Sequence, residues 1–479
     1  MSPVLLFSFV FGYFLLLLVV AWYTSKNSNN ESFFIGNRSS NWMLVAFGMI
    51  GTSLSGVTFV SVPGAVAKES FAYFQITIGY LIGYITIAYV LLPLYYKLNL
   101  TSIYNYLSGR LGFKSYKTGA SFFILSRTLG ATARLYLVVK ILQDALPASV
   151  SIPFWLTTLV ILIMILLYTY EGGVKTIVWT DTLQTTCMLA GLVICVGYLL
   201  NQMDLSFGDS LVAMNEKGYS KIFFTDPGSK LFFVKQILAG AFITITMTGM
   251  DQEMMQKNIS VKTLKDSQKN VVTLGFIMLA VIGLFLFLGG LLHLYADAQG
   301  IAATGDKLFP TIALNHMPSM VSVIFIIALI SALFPSADGA LTALTSSFCI
   351  DIIGMQRRDD WTEAKKKTMR HQVHLEAGVV DGVDSEAGAI DRDRALHRHV
   401  AQHRRRRGEA PALAAAVVPD FLDGADGIHV AGDQVAAEAI GGQQRALEVH
   451  RGTDRQRAQR GQRQRLVRHV GVPAFGVPY

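Results

Sequence analysis

Apolar residues occur in nine long runs separated by polar and charged connections. Each run is long enough to cross a bilayer as a helix, which takes about 20 residues. The pattern therefore predicts an all-α polytopic membrane protein. The predicted spans are residues 4–22, 43–66, 71–96, 118–146, 152–170, 176–201, 231–255, 270–295 and 318–350.

Basic residues are unevenly divided between the connections on the two sides of these spans. With the N-terminus outside, the inside connections hold seventeen Lys and Arg and the outside connections hold five. Cytoplasmic connections carry an excess of Lys and Arg. The imbalance predicts a cell-membrane protein, as in a bacterial inner membrane, with its N-terminus outside. The inside set includes Lys257, directly after the seventh span.

The second span contains more helix breakers and hydroxyl groups than a simple span needs. From Gly48 to Gly64 it reads GMIGTSLSGVTFVSVPG. Backbone released from helical pairing at membrane depth needs protein, water or a bound solute as its partner. Such an interrupted span indicates a transporter binding site, particularly when the second half of the chain contains another.

The seventh span is interrupted in a similar way. It reads LFFVKQILAGAFITITMTGMDQEMM, with Gly240 and Gly249 on either side of three threonines. Counting from the second span, it is the sixth helix along, so two five-helix units would each begin with a broken helix. That order is expected of an inverted repeat. The alternative is that Gly and Thr only allow close helix packing.

Charged residues within spans are costly and are candidate functional groups. Arg127 and Arg134 lie seven residues apart in the fourth span, so they share one helix face. They would hold an anionic substrate group or pair with a buried acid. Asp181 lies just inside the start of the sixth span. It is either a helix-start carboxylate favoured by the dipole or a cation ligand.

The ninth span combines Pro335 and Gly339 with Ser336 and Asp338. Because proline lacks a backbone donor, we expect a loosened helix with freed carbonyls around Ala332. A hard cation such as Na+ prefers oxygen ligands of these kinds. An unpaired carboxylate would be costly at this depth, so sodium, a proton or an Arg of the fourth span must compensate Asp338.

Four segments, in order, resemble the sodium:solute symporter family, which includes sodium-coupled sugar, sialic acid, proline and iodide carriers. They are Glu31–Arg38, Gly51–Phe59, Gly249–Lys257 and Ala332–Ile352, and Trp179–Gln184 also fits. The resemblance covers about residues 1–374. It implies a LeuT-like inverted-repeat transporter fold and sodium-coupled symport of a small organic solute or anion by alternating access.

The resemblance also implies a sodium site between the broken first core helix and the eighth core helix. Pro335 stands where the family has one of two hydroxyl ligands, so that ligand is missing or replaced. A neighbouring second cation position would involve the acid of the sixth span. The implied sodium ligands are Gly51, Leu54, Ala332, Ser336, Asp338 and Asp181.

Substrate positions implied by the resemblance fall near Ser55 and Thr58, with Arg127 and Arg134 as further candidates. A sialic acid carrier is expected to have Arg where this chain has Gly130, so that substrate is not inferred. The expected partners are Na+ as the coupling ion, a small solute and the lipid bilayer. No cofactor is expected.

The chain changes character after about residue 375. Residues 371–479 contain fifteen Arg, no Lys and no membrane-length apolar run. Fourteen acids nearly balance the Arg, so nucleic-acid binding is not predicted. We interpret this tail as frameshifted or disordered. The second repeat then lacks its last two core helices, which predicts little or no transport by the chain as written.

The predicted organisation has five parts. These are an N-terminal extra helix and loop (1–42), a first five-helix repeat (43–201), an extracytoplasmic loop (202–230), three helices of the second repeat (231–370) and the tail (371–479). The alternative function is a non-transporting membrane sensor or channel-like remnant. An enzyme is not predicted, because the sequence shows no nucleophile–base pair, metal-ligand His cluster or phosphate loop.

Overall fold

The computed structural model describes residues 3–26, 28–145 and 152–378, and those residues form helices and connections without a strand. Short π-helical turns continue three of the helices, at Ile87–Leu91, Ile245–Gly249 and Phe348–Ile353. In chain order the α-helices are α1 (Pro3–Thr24), α2 (Asn30–Ile35), α3 (Trp42–Ser53), α4 (Gly56–Gly64), α5 (Val66–Glu69), α6 (Tyr73–Thr86), α7 (Leu92–Lys97), α8 (Asn105–Ala145), α9 (Phe154–Thr169), α10 (Val174–Gln202), α11 (Phe207–Glu216), α12 (Phe233–Thr244), α13 (Gln252–Ile259), α14 (Leu264–Gln299), α15 (Leu308–Asn315), α16 (Ser319–Ser347) and α17 (363–378).

Helices occur at every predicted span, but they differ in length and polarity. Among the described residues, four are long and apolar enough to cross a membrane, or up to six if each of two bent pairs is one span. Two apolar helices are shorter, and α8 is interrupted at Gly112, where φ is 87°. The helices are therefore those of a membrane protein, while the count of nine spans stays a prediction. The four long ones are Tyr73–Lys97, Val174–Gln202, Leu264–Gln299 and Ser319–Ile353.

The two bent pairs lie at the two interruptions seen in the sequence. Helices α3 and α4 meet at 63°, with Leu54 extended between them at φ −101° and ψ 106°. Phe233–Gly249 meets α13 at 69°. Asp251 caps α13, because its carboxylate accepts a hydrogen bond from Met254 N at 3.1 Å.

Gly79 and Gly240 bring the backbones of α6 and α12 into direct contact. A Cβ atom on Gly240 would lie 3.0 Å from the carbonyl carbon of Ile76 and 3.1 Å from Gly79 Cα. Gly240 thus serves close packing, which is the alternative given for it from the sequence. The helix break itself lies further along, between Gly249 and Asp251.

A buried cluster of aromatic rings holds α4 to the helices that follow it. Phe59 of α4 contacts Phe285 of α14, Phe309 of α15 and Phe325 of α16, with ring centroids 5.4–6.0 Å apart. The other half of the bent pair, α3, packs most extensively along α10 and also contacts α14 and α16. The two halves therefore share α14 and α16 as neighbours, and α3 has α10 in addition.

The last described helix, α17, packs onto the ends of the membrane-type helices. Arg370 is fully buried, with its guanidinium 4.4 Å from the ring centroid of Phe33. The buried His374 ring lies 2.8 Å from Thr169 Oγ1 and 2.9 Å from Thr345 Oγ1. Burial lowers the pKa of His374 to about 3. The imidazole is therefore neutral near pH 7.

Almost all of the predicted tail, residues 379–479, lies outside the described residues.

Candidate functional site

The break between α3 and α4 lies against α10 and α16. Gly51 N donates a hydrogen bond to Thr185 Oγ1 at 3.2 Å. A Cβ atom on Gly51 would lie only 2.6 Å from that hydroxyl and 3.1 Å from Pro335 Cγ, so glycine is needed for this approach. The end of α3 and the middle of α16, where the resemblance implies sodium ligands, are thus neighbours.

At this break several backbone and hydroxyl groups are not part of the regular helical hydrogen-bond pattern. The last bond of the α3 ladder runs from Leu54 N to Ile50 O at 2.8 Å, and the final carbonyls of any helix lack partners within it. Ser55 caps α4, accepting from Thr58 N at 3.4 Å, and the two hydroxyl oxygens are 3.3 Å apart. The carbonyls of Gly51 and Leu54 therefore lie outside the α-helical hydrogen-bond pattern.

Helix α16 remains α-helical through Pro335, whereas the sequence predicted a loosened helix. Proline removes the donor for the Ser331 carbonyl, but the surrounding turns are intact. Ser336 Oγ donates to the carbonyl three residues earlier at 2.8 Å. The disturbance is thus one missing backbone hydrogen bond rather than an opened turn. Ala332 and Ser336 are both buried.

Asp338 is fully buried, and one of its carboxylate oxygens is unpaired. Oδ2 accepts a hydrogen bond from Tyr168 Oη at 2.9 Å, while Oδ1 has no hydrogen bond within the described ranges. Arg127, a predicted partner for this acid, forms an ion pair with Glu253 and lies 3.8 Å from Asp251. A buried carboxylate that lacks a counter-charge is costly. Asp338 therefore suits a cation.

Asp181 already carries a cationic partner. Its Oδ2 accepts from Lys257 Nζ at 2.7 Å and from Thr52 Oγ1 at 3.1 Å, and Nζ is also 2.7 Å from Thr52 Oγ1. Lys257 is 3% exposed and Asp181 is 1% exposed. The sequence assignment of Lys257 to an inside connection is therefore wrong. It belongs to α13, which the 69° bend turns into the helical bundle.

Three residues of this region, Tyr168, Glu253 and Lys257, were not expected from the sequence. Glu253 and Lys257 lie one turn apart on α13, with Nζ 3.8 Å from Glu253 Oε1. The available signal is the set of charged residues that directly follows the second helix break. Charge beside broken backbone at membrane depth indicates a functional site.

The predicted residues thus fall into two groups. Gly51, Leu54, Ser55 and Thr58 lie at the first break, and the α10 and α16 acids lie beside it in the bundle. Arg127 is directed toward α13 by its ion pair. Arg134 lies two turns further along α8 and is half-buried.

A broken helix next to buried acids, within a bundle of membrane-length helices, defines a membrane transport protein. The model of the sodium:solute symporter family matches residues 33–380. The chain therefore belongs to this family, whose members are transporters and not enzymes.

Individual relatives agree with this assignment. The human sodium/iodide cotransporter is 24% identical, with 67% of this chain and 51% of the relative covered. The sodium/sialic acid symporter of Proteus mirabilis is also 24% identical, with coverages of 78% and 76%. The chain thus spans about half the length of the human relative.

A solved structure shares the fold. It is a Na+-coupled sialic acid symporter in a substrate-bound outward-open state, with a TM-score of 0.73 at 20% identity. The match covers 80% of this chain and 82% of that one.

Proposed function

We propose that this protein is a sodium-coupled symporter that moves a small organic solute or anion by alternating access. The observation that carries the proposal is the helix break at Leu54 and Ser55, held against α16 at Pro335 in a member of this family. Coupling requires sodium and solute to favour the same conformation. A site shared between a broken helix and its neighbours meets that requirement, because both ligands then bias the same packing contact.

The proposed sodium site lies between the end of α3 and the middle of α16. The carbonyls of Gly51, Leu54 and Ala332 and the hydroxyl of Ser336 offer oxygen atoms only, which suits a hard monovalent cation. Pro335 supplies no side-chain ligand. The free Oδ1 of Asp338 offers a neighbouring negative charge. Asp181, the other predicted carboxylate, holds the Lys257 ammonium instead.

The solute is proposed to bind at Ser55 and Thr58, whose hydroxyls already form the cap of α4. A bound solute would replace contacts within this pair. Arg134 and Arg127 remain candidates for an anionic group, but Arg127 would have to leave Glu253 first. A Cβ atom on Gly130 would have no neighbouring atom within 4 Å, and the glycine itself supplies no charge for an anionic solute. Sialic acid is therefore not proposed as the solute.

The membrane arrangement is part of the same proposal. It comprises nine spans in the cell membrane, the N-terminus outside and an inverted repeat whose halves begin at the two bent helix pairs. The tail after about 375 is proposed to result from a shifted reading frame. Sequencing the gene across codons 365–380 tests this. A clean frame, with no alternative reading that restores apolar spans, would reject it.

Transport is tested by reconstituting the full chain and a frame-restored version in parallel. Uptake of sugars, sialic acids, amino acids and inorganic anions is measured under an inward Na+ gradient and an equal K+ gradient. Saturable uptake in Na+ alone by the frame-restored chain supports symport. No saturable uptake of any solute would favour a sensor or channel-like remnant. The chain as written is expected to show little or no uptake, and sodium-dependent uptake by it would reject that expectation.

A further inference from the structure

The ammonium of Lys257 has the surroundings of a bound cation. Its nitrogen lies 2.7 Å from Asp181 Oδ2, 2.7 Å from Thr52 Oγ1 and 3.8 Å from Glu253 Oε1. An ammonium has three donors and no acceptor. Two donors form hydrogen bonds to Asp181 and Thr52, and the Glu253 carboxylate lies at ion-pair distance. The oxygen atoms come from α3, α10 and α13, which are far apart in sequence. The geometry is that of a small monovalent cation held between three helices.

The space around this ammonium is closed by small residues on two sides. A Cβ atom on Gly48 of α3 would lie 3.0 Å from Asp181 Cβ. On the opposite side, a Cβ on Gly339 of α16 would lie 3.0 Å from Lys257 Nζ and 2.8 Å from Glu253 Cδ. The lysine therefore fills the room between Asp181 and α16. The ammonium already neutralises the Asp181 carboxylate through Oδ2. A sodium ion at Oδ1, which has no hydrogen bond within the described residues, would lie beside this like charge, so we expect one cation or the other here.

We propose that Lys257 is a covalently attached cation at Asp181, and that it leaves this carrier with one sodium site. The one mobile sodium ion then binds at the α3–α16 site beside Asp338. Lys257 thereby determines how many ions accompany the solute. This inference rests on the proposed function, since it refines which of the predicted carboxylates bind sodium.

The test counts sodium ions bound to the purified full chain by equilibrium binding of radioactive Na+ alone. We expect one ion per wild-type molecule. In Lys257→Met the Asp181 carboxylate loses its ammonium, and the count rises to two. The double variant Lys257→Met with Asp181→Asn returns to one. Lys262→Met, at an exposed lysine shortly after α13, is the matched control and stays at one.

The outcomes separate this inference from the proposed function. Two ions on the wild type, or one on Lys257→Met, would overturn the attached-cation proposal and leave sodium binding intact. No ion on the wild type would overturn both. If Lys257→Met is unstable, its melting temperature is measured in Na+ and in K+. A melting temperature restored toward that of the wild type in Na+ but not in K+ shows that sodium replaces the ammonium. An equally low melting temperature in both salts contradicts the proposal.

Discussion

Asp338 shows at the scale of one residue why a cation is expected in this site. The carboxylate is fully buried and has one hydrogen bond, from Tyr168 Oη at 2.9 Å. Two unit charges 4 Å apart attract by about 4 kcal/mol at an effective dielectric of about 20. A sodium ion beside Oδ1 would thus offset much of the cost of burying this charge. Without sodium the same charge destabilises the fold.

Replacing Asp338 by Asn is therefore expected to have opposite effects with and without sodium. In K+ buffer the variant should melt at a higher temperature, because an uncompensated charge is removed. Its stabilisation by Na+ should fall, with sodium affinity reduced by at least about tenfold, or about 1.4 kcal/mol. Melting temperatures across a Na+ titration measure both effects.

Tyr168→Phe is the matched control for this experiment. It removes the hydrogen bond but keeps the Asp338 charge, so most of the Na+ stabilisation should remain. The sodium assignment of Asp338 fails if Asp338→Asn keeps the wild-type shift in melting temperature between K+ and Na+.

Individual residues differ in how far the sequence could reveal them. The unusual density of Gly, Ser and Thr between Gly48 and Gly64 was enough to predict a broken helix. The position of the ammonium of Lys257 was not, because its partner Asp181 lies 76 residues earlier in the chain. Span hydropathy ends near residue 255 and assigns a following lysine to water. Only the bend before α13 turns it inward.

At the scale of elements, α13 is the link between several helices. It has only eight residues, yet Glu253 pairs with Arg127 of α8 and Lys257 pairs with Asp181 of α10. The bend before α13 gives this helix a direction different from that of α12. Charge pairs therefore contribute to its position, together with the hydrogen bonds of Gln252 and Gln256 and the burial of its apolar side chains. Helix α12, in contrast, is positioned by backbone packing on α6.

The α6–α12 contact gives a prediction about packing. Gly240→Ala places a methyl group against the Ile76 carbonyl, and the resulting strain should cost about 1–3 kcal/mol. The thermal stability of the purified protein should fall accordingly. The matched control is Gly197→Ala on α10, where no atom lies within 4 Å of the new methyl.

Because alanine has the higher helix propensity, the control should be neutral or more stable by up to about 1 kcal/mol. Equal melting temperatures for the two variants would contradict direct backbone contact between α6 and α12.

The elements themselves were mostly predictable, and their details were not. Apolar length placed a helix at each predicted span, because burial in lipid requires the backbone to bond within the segment. Because of Pro335, the sequence predicted a loosened helix at α16, and this prediction was wrong. The tight packing around it keeps the helix regular with a single hydrogen bond missing, which a residue pattern cannot convey.

At the scale of the whole molecule, the orientation depends on the distribution of charged connections. Removing the buried Lys257 and Arg370 from the inside set leaves fifteen Lys and Arg against five outside. The predicted orientation is thus unchanged, since the bias remains about threefold.

Labelling of introduced cysteines tests this orientation. Glu216 and Lys262 are exposed on connections assigned to opposite sides. A membrane-impermeant maleimide should label Glu216→Cys in intact cells and Lys262→Cys only after permeabilisation. The native Cys195 and Cys349 are buried and Cys187 is half-buried, so the unsubstituted chain measures the background. The reverse pattern would place the N-terminus inside.

In the proposed symporter, a lysine in the position of a second ion would also limit how far a cell can concentrate the solute. One sodium ion moving down a tenfold gradient releases about 1.4 kcal/mol, and a membrane potential of 100 mV adds about 2.3 kcal/mol. The total, about 3.7 kcal/mol, supports an accumulation of about 500-fold for a neutral solute. Two ions would square that ratio. The proposed role of the Lys257–Asp181 pair thus predicts a symporter that uses one sodium ion per solute and suits conditions where the solute is already plentiful.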